Sequence, residues 1–411
     1  MNKTMNKRIW PRPVVIPLPD ETMGSGDVSI NLLEEDWSMN LYPPQEFWKK
    51  DMDLSGWEKI GLPMQVDAPD REYAFAKDIH IPDDWKDSRI MIRFDGVNCY
   101  GRVFVDGQYV MDHYGGFVSW DCDITDYTAA GKTSRLTIGV TDKNDDVCEF
   151  HKGGILRDII LVRLPHTYLF RLHADTIMDA ACEDAVLRVY AGLKGTAALV
   201  RFLLTDPSGN TRELGTVQMQ DNADTSYDFS VSKPLKWDCE HPYLYTLTAE
   251  VITDGSVMEK THRRIGFRML KMRGNQVFLN QQELKLHGVN HHDIYPVTGR
   301  AISRELARRD VQLFKEANVN FIRTSHYPPR TDFLDFCDEY GIYVEDEIAV
   351  AFLGQGTDCR QNDPAYTAAF LGQFSEMIER DRSHPSVILY SLANESIWGS
   401  NFELENRYAH E

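Results

Sequence analysis

Residues 284–293 read LKLHGVNHHD, an apolar run that ends in polar, reactive side chains. Three later stretches repeat the form: VNFIRTSHYP at 319–328, IYVEDE at 342–347 and VILYSLANE at 387–395. The apolar parts, 284–289, 319–322, 342–344 and 387–392, have strand length. Helical patterns at 303–317, 331–340 and 364–382 separate them, with Ser303 and Thr331 placed to cap two helix N-termini. Strands alternating with helices predict a parallel sheet, open or closed into a barrel. A (β/α)8 barrel takes about 250 residues, and the 143 residues from 269 to 411 hold four strand–helix units. The expectation is the first half of such a barrel, strands 1–4. Its outer strands would present unpaired backbone groups and apolar faces, so either the chain is a fragment or a partner completes it.

Upstream the rhythm is that of β structure. Val103 and Val105 precede Asp106-Gly107, and Tyr109 and Met111 follow it. Asp-Gly accepts the positive φ angles of a type I′ turn, so a hairpin is predicted there. Leu136, Ile138 and Val140 alternate with polar residues in the same way. Short strands with Gly, Pro and Asp punctuation suggest a jelly-roll β-sandwich over 1–165. A second β region spans 166–268, where Tyr243, Tyr245, Leu247, Ala249 and Val251 are expected on one strand face. Its size suits an immunoglobulin-like β-sandwich.

Composition narrows the function classes. Lys and Arg total 44 against 63 Asp and Glu, a net charge of −19 that repels nucleic-acid backbones and anionic membranes. No apolar run approaches the ~20 residues of a membrane span. The basic start, Met1 to Arg8, is followed by a proline-broken stretch that is a poor signal peptide, so a cytoplasmic location is expected. The seven cysteines, Cys99, Cys122, Cys148, Cys182, Cys239, Cys337 and Cys359, are widely spaced and include no CxxC pair, which predicts reduced structural thiols.

In parallel α/β sheets the loops at the strand C-termini converge on one face and carry the chemistry. The four exits here hold Asn290-His291-His292-Asp293, Arg323-Thr324-Ser325-His326-Tyr327, Glu345-Asp346-Glu347 and Asn394-Glu395. One polar exit would signify solvation; four in series predict a site.

These segments carry a resemblance. The run 287–292 (HGVNHH), the helix segment 309–315 (RDVQLFK), 321–328 (FIRTSHYP), the pair Asp346-Glu347 and 384–396 (HPSVILYSLANES) are similar to glycoside hydrolase family 2. So are 94–97 (FDGV), 153–158 (GGILRD) and 264–268 (RIGFR) in the upstream regions. The resemblance implies a sugar-binding jelly roll, an immunoglobulin-like sandwich and a catalytic TIM barrel. The implied reaction is retaining hydrolysis of a terminal β-linked sugar, most closely of the β-galactosidase type, with β-glucuronidase as the alternative. That chemistry needs two carboxyl groups about 5–5.5 Å apart. Glu395 matches the acid/base, and a buried setting would favour the neutral acid that the first step needs. Asn394 matches the partner of the sugar 2-hydroxyl. His292 and His326 resemble sugar-contacting histidines, and Arg323 is placed to hold a carboxylate, the absent nucleophile being one choice. Asp346 and Glu347 are expected to order the pocket floor, and Trp398 to offer an aromatic face.

Departures from the family pattern are also legible. Metal-dependent β-galactosidases carry Glu and His where Ala351 and Leu353 stand here, so neither a catalytic metal nor another cofactor is expected. His151-Lys152 stands where an acidic galactose contact is usual. The nucleophile belongs to a later strand; Glu403, Glu405 and Glu411 read as solvated residues of the helix after strand 4, so the printed chain is expected to be inactive by itself. A carbohydrate substrate is the expected partner, together with a homo-oligomer or a complementing C-terminal half. The competing reading is a non-catalytic carbohydrate-binding protein.

Overall fold

The computed structural model describes residues 8–22, 26–33, 36–143, 147 and 152–410. The basic residues before Arg8, and Cys148, His151 and Glu411, lie outside the described residues. The first β region forms a six-stranded antiparallel sheet facing a four-stranded one. Trp37, Phe75, Val103, Val105, Leu136 and Ile138 of the larger sheet meet Ile92, Phe94, Trp120 and Leu161 of the smaller in one buried core. The hairpin turns at Asp106 (φ 49°) and Gly107 (φ 84°), with Val105 paired to Gln108, as its two-residue turn requires.

The second region is a three-stranded sheet packed on a larger one through Leu169, Leu187, Val189, Val200, Phe202, Leu247 and Val251. The strand Tyr245–Thr253 buries Tyr245, Leu247, Ala249 and Val251, whereas Tyr243 lies before it and is exposed. The N-terminal segment, expected within the first unit, lends Glu21–Thr22 as an edge strand to this second sandwich, opposite Lys260 and Glu259. It also ties the other regions together: Arg12 pairs with Glu379 at 2.7 Å, and the Ile16 N–H donates to Asp121 at 2.8 Å.

Beside that edge strand, Glu259 is fully buried. One carboxylate oxygen accepts the Leu169 N–H at 2.9 Å and the other has no partner, so burial pushes its pKa up to about 8. The folded protein then holds a proton that the unfolded chain releases near the ordinary value of 4.5. Stability is complete below that value, falls as pH rises toward about 8 and is flat beyond. Glu259→Gln is expected to flatten this slope, a difference of about 2–3 kcal/mol at alkaline pH after allowance for relaxation. Denaturation midpoints across pH measure it; equal slopes in both proteins would contradict it.

A small antiparallel sheet, Leu270–Arg273, Gln276–Leu279 and Gln282–Glu283, leads into the parallel region. There β1 (Gly288–His291), α1 (Arg304–Glu316), β2 (Phe321–Thr324), α2 (Thr331–Tyr340), β3 (Tyr343–Glu347), α3 (Thr367–Asp381), β4 (Val387–Ser391) and α4 (Ser400–Ala409) follow in order. The strands lie side by side as β1-β2-β3-β4, all parallel. Ile322 and Val344 bury against Ala307 and Val311 of α1 and Phe333, Leu334 and Phe336 of α2. Both outer strands pair on one side only, and Val289, Leu389 and Tyr390 on them are exposed.

The first three strands begin later than their apolar runs. Leu284, expected to open the first strand, instead donates its N–H to Val277 of the small sheet at 2.8 Å. Pairing starts at Gly288, where a Cβ would come within 2.5 Å of the Phe321 ring. Ser303 caps α1 by accepting the Leu306 N–H. Thr331 is not a cap: it is the first residue of α2, and the N-cap position is Arg330. Residues 364–366 form a separate 3-10 turn before α3.

Candidate active site

Because the first three strands are shifted, Asn290, His291, Arg323, Thr324 and Glu345 to Glu347 are strand residues, with side chains alternating between the two faces of the sheet. On the face away from the helices, Glu347 is the anchor. It is fully buried, and its Oε2 accepts from Arg323 Nε at 2.8 Å and from Ser391 Oγ at 2.6 Å. The second guanidinium nitrogen, Arg323 Nη2, lies 2.6 Å from the same oxygen. His326 Nδ1 is 2.7 Å from Oε1, and since an ionised carboxylate only accepts, that nitrogen carries the proton. Arg323 Nη2 also donates to Asn394 Oδ1 at 3.0 Å, which fixes the amide's orientation and leaves its NH2 group facing another acceptor.

Asn394 sits on a short parallel bridge with Ala351. Its N–H donates to Val350 O at 2.9 Å, and its carbonyl accepts from the Phe352 N–H at 3.0 Å. This brings the loop after β3 against the loop after β4. His292 approaches from β1, its ring centroid 5.2 Å from that of His326. Burial first, then the neighbouring His326 and Arg300, lower the His292 pKa to about 4. Its imidazole is neutral near pH 7 and able both to donate and to accept. Glu345, half-buried on the same face as Glu347, has its pKa raised by burial and by Glu347, against the pull of Arg323.

The first sandwich docks beside this cluster. Phe117 stacks on Tyr327 with centroids 4.2 Å apart. The buried Arg157 donates to Phe117 O at 2.7 Å and reaches the carbonyl of Pro328. The segment carrying His326 is thereby clamped from outside the sheet.

Arg323, His326, Glu347, Asn394 and His292 therefore converge, and the carboxylate that Arg323 holds in this chain is Glu347. Three expectations, for Asp346, Glu395 and Glu405, require correction. Asp346 does not line the pocket: one residue from Glu347, it faces the helices, fully buried near Asp381, which Arg380 pairs at 2.6 Å. Burial and the Asp381 charge raise the Asp346 pKa. Glu395 is exposed, with φ 43°, so the burial expected around it is absent; β4 is an outer strand and Leu389 and Tyr390 on it are open to solvent. Trp398 is also exposed and stacks on Phe402 of α4.

His291, one of the exit histidines, turns to the helices and stacks on Phe333 at 4.9 Å. Glu405 is not solvated: it is fully buried in α4 with both carboxylate oxygens unpartnered, and burial raises its pKa. Ser391 and Thr324, whose Oγ accepts the Glu347 N–H at 3.0 Å, were missed. The signal for Ser391 was its place two residues beyond Leu389, on the same strand face.

Ala351 and Leu353 are buried. Among the described residues, Asp335, Asp338 and His384 form a group whose potential ligand atoms lie within 4.8 Å of one another. That group is satisfied by its own donors. His384 Nδ1 lies 2.7 Å from Asp338 Oδ2, the Ser386 N–H donates to Asp338 Oδ1 at 2.9 Å, and Arg264 pairs with Asp335 at 2.7 Å. The described cysteines form no disulfide; Cys359 is exposed, Cys239 is partly buried and the others are buried. No helix among the described residues is long and apolar enough to cross a membrane.

Comparison with known proteins adds the following. Sequence profiles of glycosyl hydrolases family 2 match residues 36–165 (sugar binding domain), 167–268 and 270–411 (TIM barrel domain). A putative beta-glucuronidase of Formosa agariphila is 29% identical over 378 residues, 86% of this chain and 45% of that protein. A beta-galactosidase of Priestia megaterium is 31% identical over 345 residues, 78% of this chain and 33% of that protein. In structure, the beta-glucuronidase of Parabacteroides merdae superposes with a TM-score of 0.80 at 24% identity, covering 91% of this chain and 51% of that one. A β-glucuronidase from Ruminococcus gnavus gives 0.81 at 20% identity, covering 96% and 70%. The chain thus spans about half the length, or less, of these curated relatives. With all three of its regions matched in order by those profiles, the chain belongs to glycosyl hydrolase family 2.

Proposed function

We propose that this chain supplies the acid/base side of a retaining exo-β-glycosidase site that acts on a terminal β-linked sugar. The observation that carries the reading is the chain of contacts from buried Glu347 through Arg323 to Asn394, which fixes the residue before Glu395. In this reading the Asn394 amide donates to the sugar 2-hydroxyl, an interaction that strengthens in the oxocarbenium-like transition state. Neutral His292 and the second ring nitrogen of His326 meet other hydroxyls. Glu395 protonates the glycosidic oxygen as the bond to the anomeric carbon breaks. It then takes a proton from the water that releases the sugar. A second carboxylate, the nucleophile, is contributed from outside residues 1–411, so the chain alone is inactive.

β-Galactosides are the first substrates to test. β-Glucuronides are the second reading, favoured by the buried apolar Ala351 and Leu353 in a loop where metal-dependent galactosidases would place ligands. The test is nitrophenolate release from 4-nitrophenyl β-D-galactoside and β-D-glucuronide by the complete protein that carries this chain. Turnover of one β-anomer, with none of the α-anomers, is expected. Binding without turnover of any β-glycoside would contradict the enzyme and support a carbohydrate-binding protein.

A further inference from the structure

Away from the candidate active site, a cavity of about 520 Å³ lies where the three regions meet, under residues 15–20 of the N-terminal segment. None of the residues that converge on Glu347 lines it. Each region sends an arginine to its wall: Arg93 from the strand Arg89–Phe94 of the first sandwich, Arg263 from the strand Ser256–Ile265 of the second, and Arg380 from α3. In a chain with a net charge of −19, such a gathering of cations runs against the charge of the whole.

The pairing of these groups is uneven. Arg380 pairs with Asp381 at 2.6 Å and Arg93 with Asp121 at 2.7 Å, both carboxylates standing behind the wall rather than on it. The carboxylates that do line the cavity are taken, Asp335 and Glu339 by Arg264 and Asp20 by His262 at 2.7 Å. Arg263 has no carboxylate partner among the described residues, where its hydrogen bonding is limited to Nε and Leu172 O, 2.9 Å apart. Its two terminal nitrogens, and Nη1 of the buried Arg93, donate to nothing among the described residues. Burial, then the charge of Arg93, lower the Arg263 pKa to about 10. Arg93 is opposed in turn by the charge of Arg380. An oxyanion would relieve this repulsion and accept from the unused donors, since forked guanidinium groups match phosphate geometry. The space exceeds what a bare phosphate fills and has the size of a small-molecule site.

We propose that this cavity binds a phosphate group, free or carried by a sugar, held by Arg93 and Arg263 with the exposed Arg304 at its rim. Because the two holding arginines belong to different sandwiches, the ligand ties the regions together and stabilises the folded chain by mass action. The proposal is independent of the glycosidase reading.

The experiment is calorimetric titration of the 411-residue chain with inorganic phosphate and with glucose 6-phosphate, at an ionic strength held constant with sodium chloride. Saturable binding of one equivalent is expected, together with a rise in thermal midpoint that chloride does not produce. Arg263→Gln leaves no carboxylate unpaired and is expected to weaken binding about tenfold or more; circular dichroism checks its folding. Arg304→Gln, at an exposed position, is expected to weaken binding about threefold through the loss of one nearby charge, and it keeps the test open if Arg263→Gln does not fold. Tighter binding of glucose 6-phosphate than of phosphate assigns the group to a sugar, and equal or weaker binding assigns it to the free ion; both support the site. No saturable binding of either probe, or an affinity unchanged in either folded variant, overturns it.

Discussion

Arg323→Met is expected to lower stability by about 3–5 kcal/mol, because it leaves a buried carboxylate without its counter-charge. Glu347 has no exposed surface, and two guanidinium nitrogens lie 2.6 and 2.8 Å from its Oε2. The remaining donors, Ser391 and His326, satisfy geometry without supplying a permanent cation. The same substitution frees Asn394 Oδ1, so the amide is no longer fixed beside Glu395. The double variant Arg323→Met/Glu347→Gln separates the two consequences. It is expected to regain most of the lost stability, since a neutral amide can be buried with Ser391 and His326 as partners, but not glycoside binding. Urea denaturation followed by tryptophan fluorescence measures the first, and titration with methyl β-glycosides the second. A double variant less stable than Arg323→Met alone would show that charge pairing is not what Glu347 contributes.

The elements of the parallel sheet were legible because helix and strand periodicities alternate over long stretches after residue 268. Their edges were less so, and the reason is local. Apolar residues such as Leu284 were assigned to the strand they precede, whereas the Leu284 N–H donates to Val277 O and ties that residue to the end of the small antiparallel sheet, outside any strand. The β-sandwiches were readable from alternation and from one hairpin turn. The threading of the N-terminal segment across all three regions was not, because a two-residue strand such as Glu21–Thr22 carries no periodic signal.

At the site, residue types and strand ends were sufficient to select Arg323, His326, Glu347 and Asn394. Facing was decided by the two-residue period of a strand, which separates Asp346 from Glu347 and which composition does not encode. Burial of Glu405 was hidden for a similar reason. A carboxylate in a short helix reads as solvated unless the face it shares with Phe402 and Tyr408 is considered. Glu395 failed in the opposite direction, since its exposure follows from β4 being paired on one side only.

Glu395→Gln carries the other large effect, and it bears on the claim that this residue is the proton donor. An amide cannot protonate the departing oxygen, so hydrolysis of a methyl β-glycoside should fall by about 10²–10⁴-fold in kcat/KM. Nitrophenolate departs without a proton, so bond cleavage in a 4-nitrophenyl β-glycoside should fall far less. The measurement is kcat/KM for both substrates with the complete protein and its Glu395→Gln variant. The account predicts a loss at least tenfold greater for the methyl glycoside. Equal losses for the two leaving groups, or turnover that survives the substitution, would contradict it.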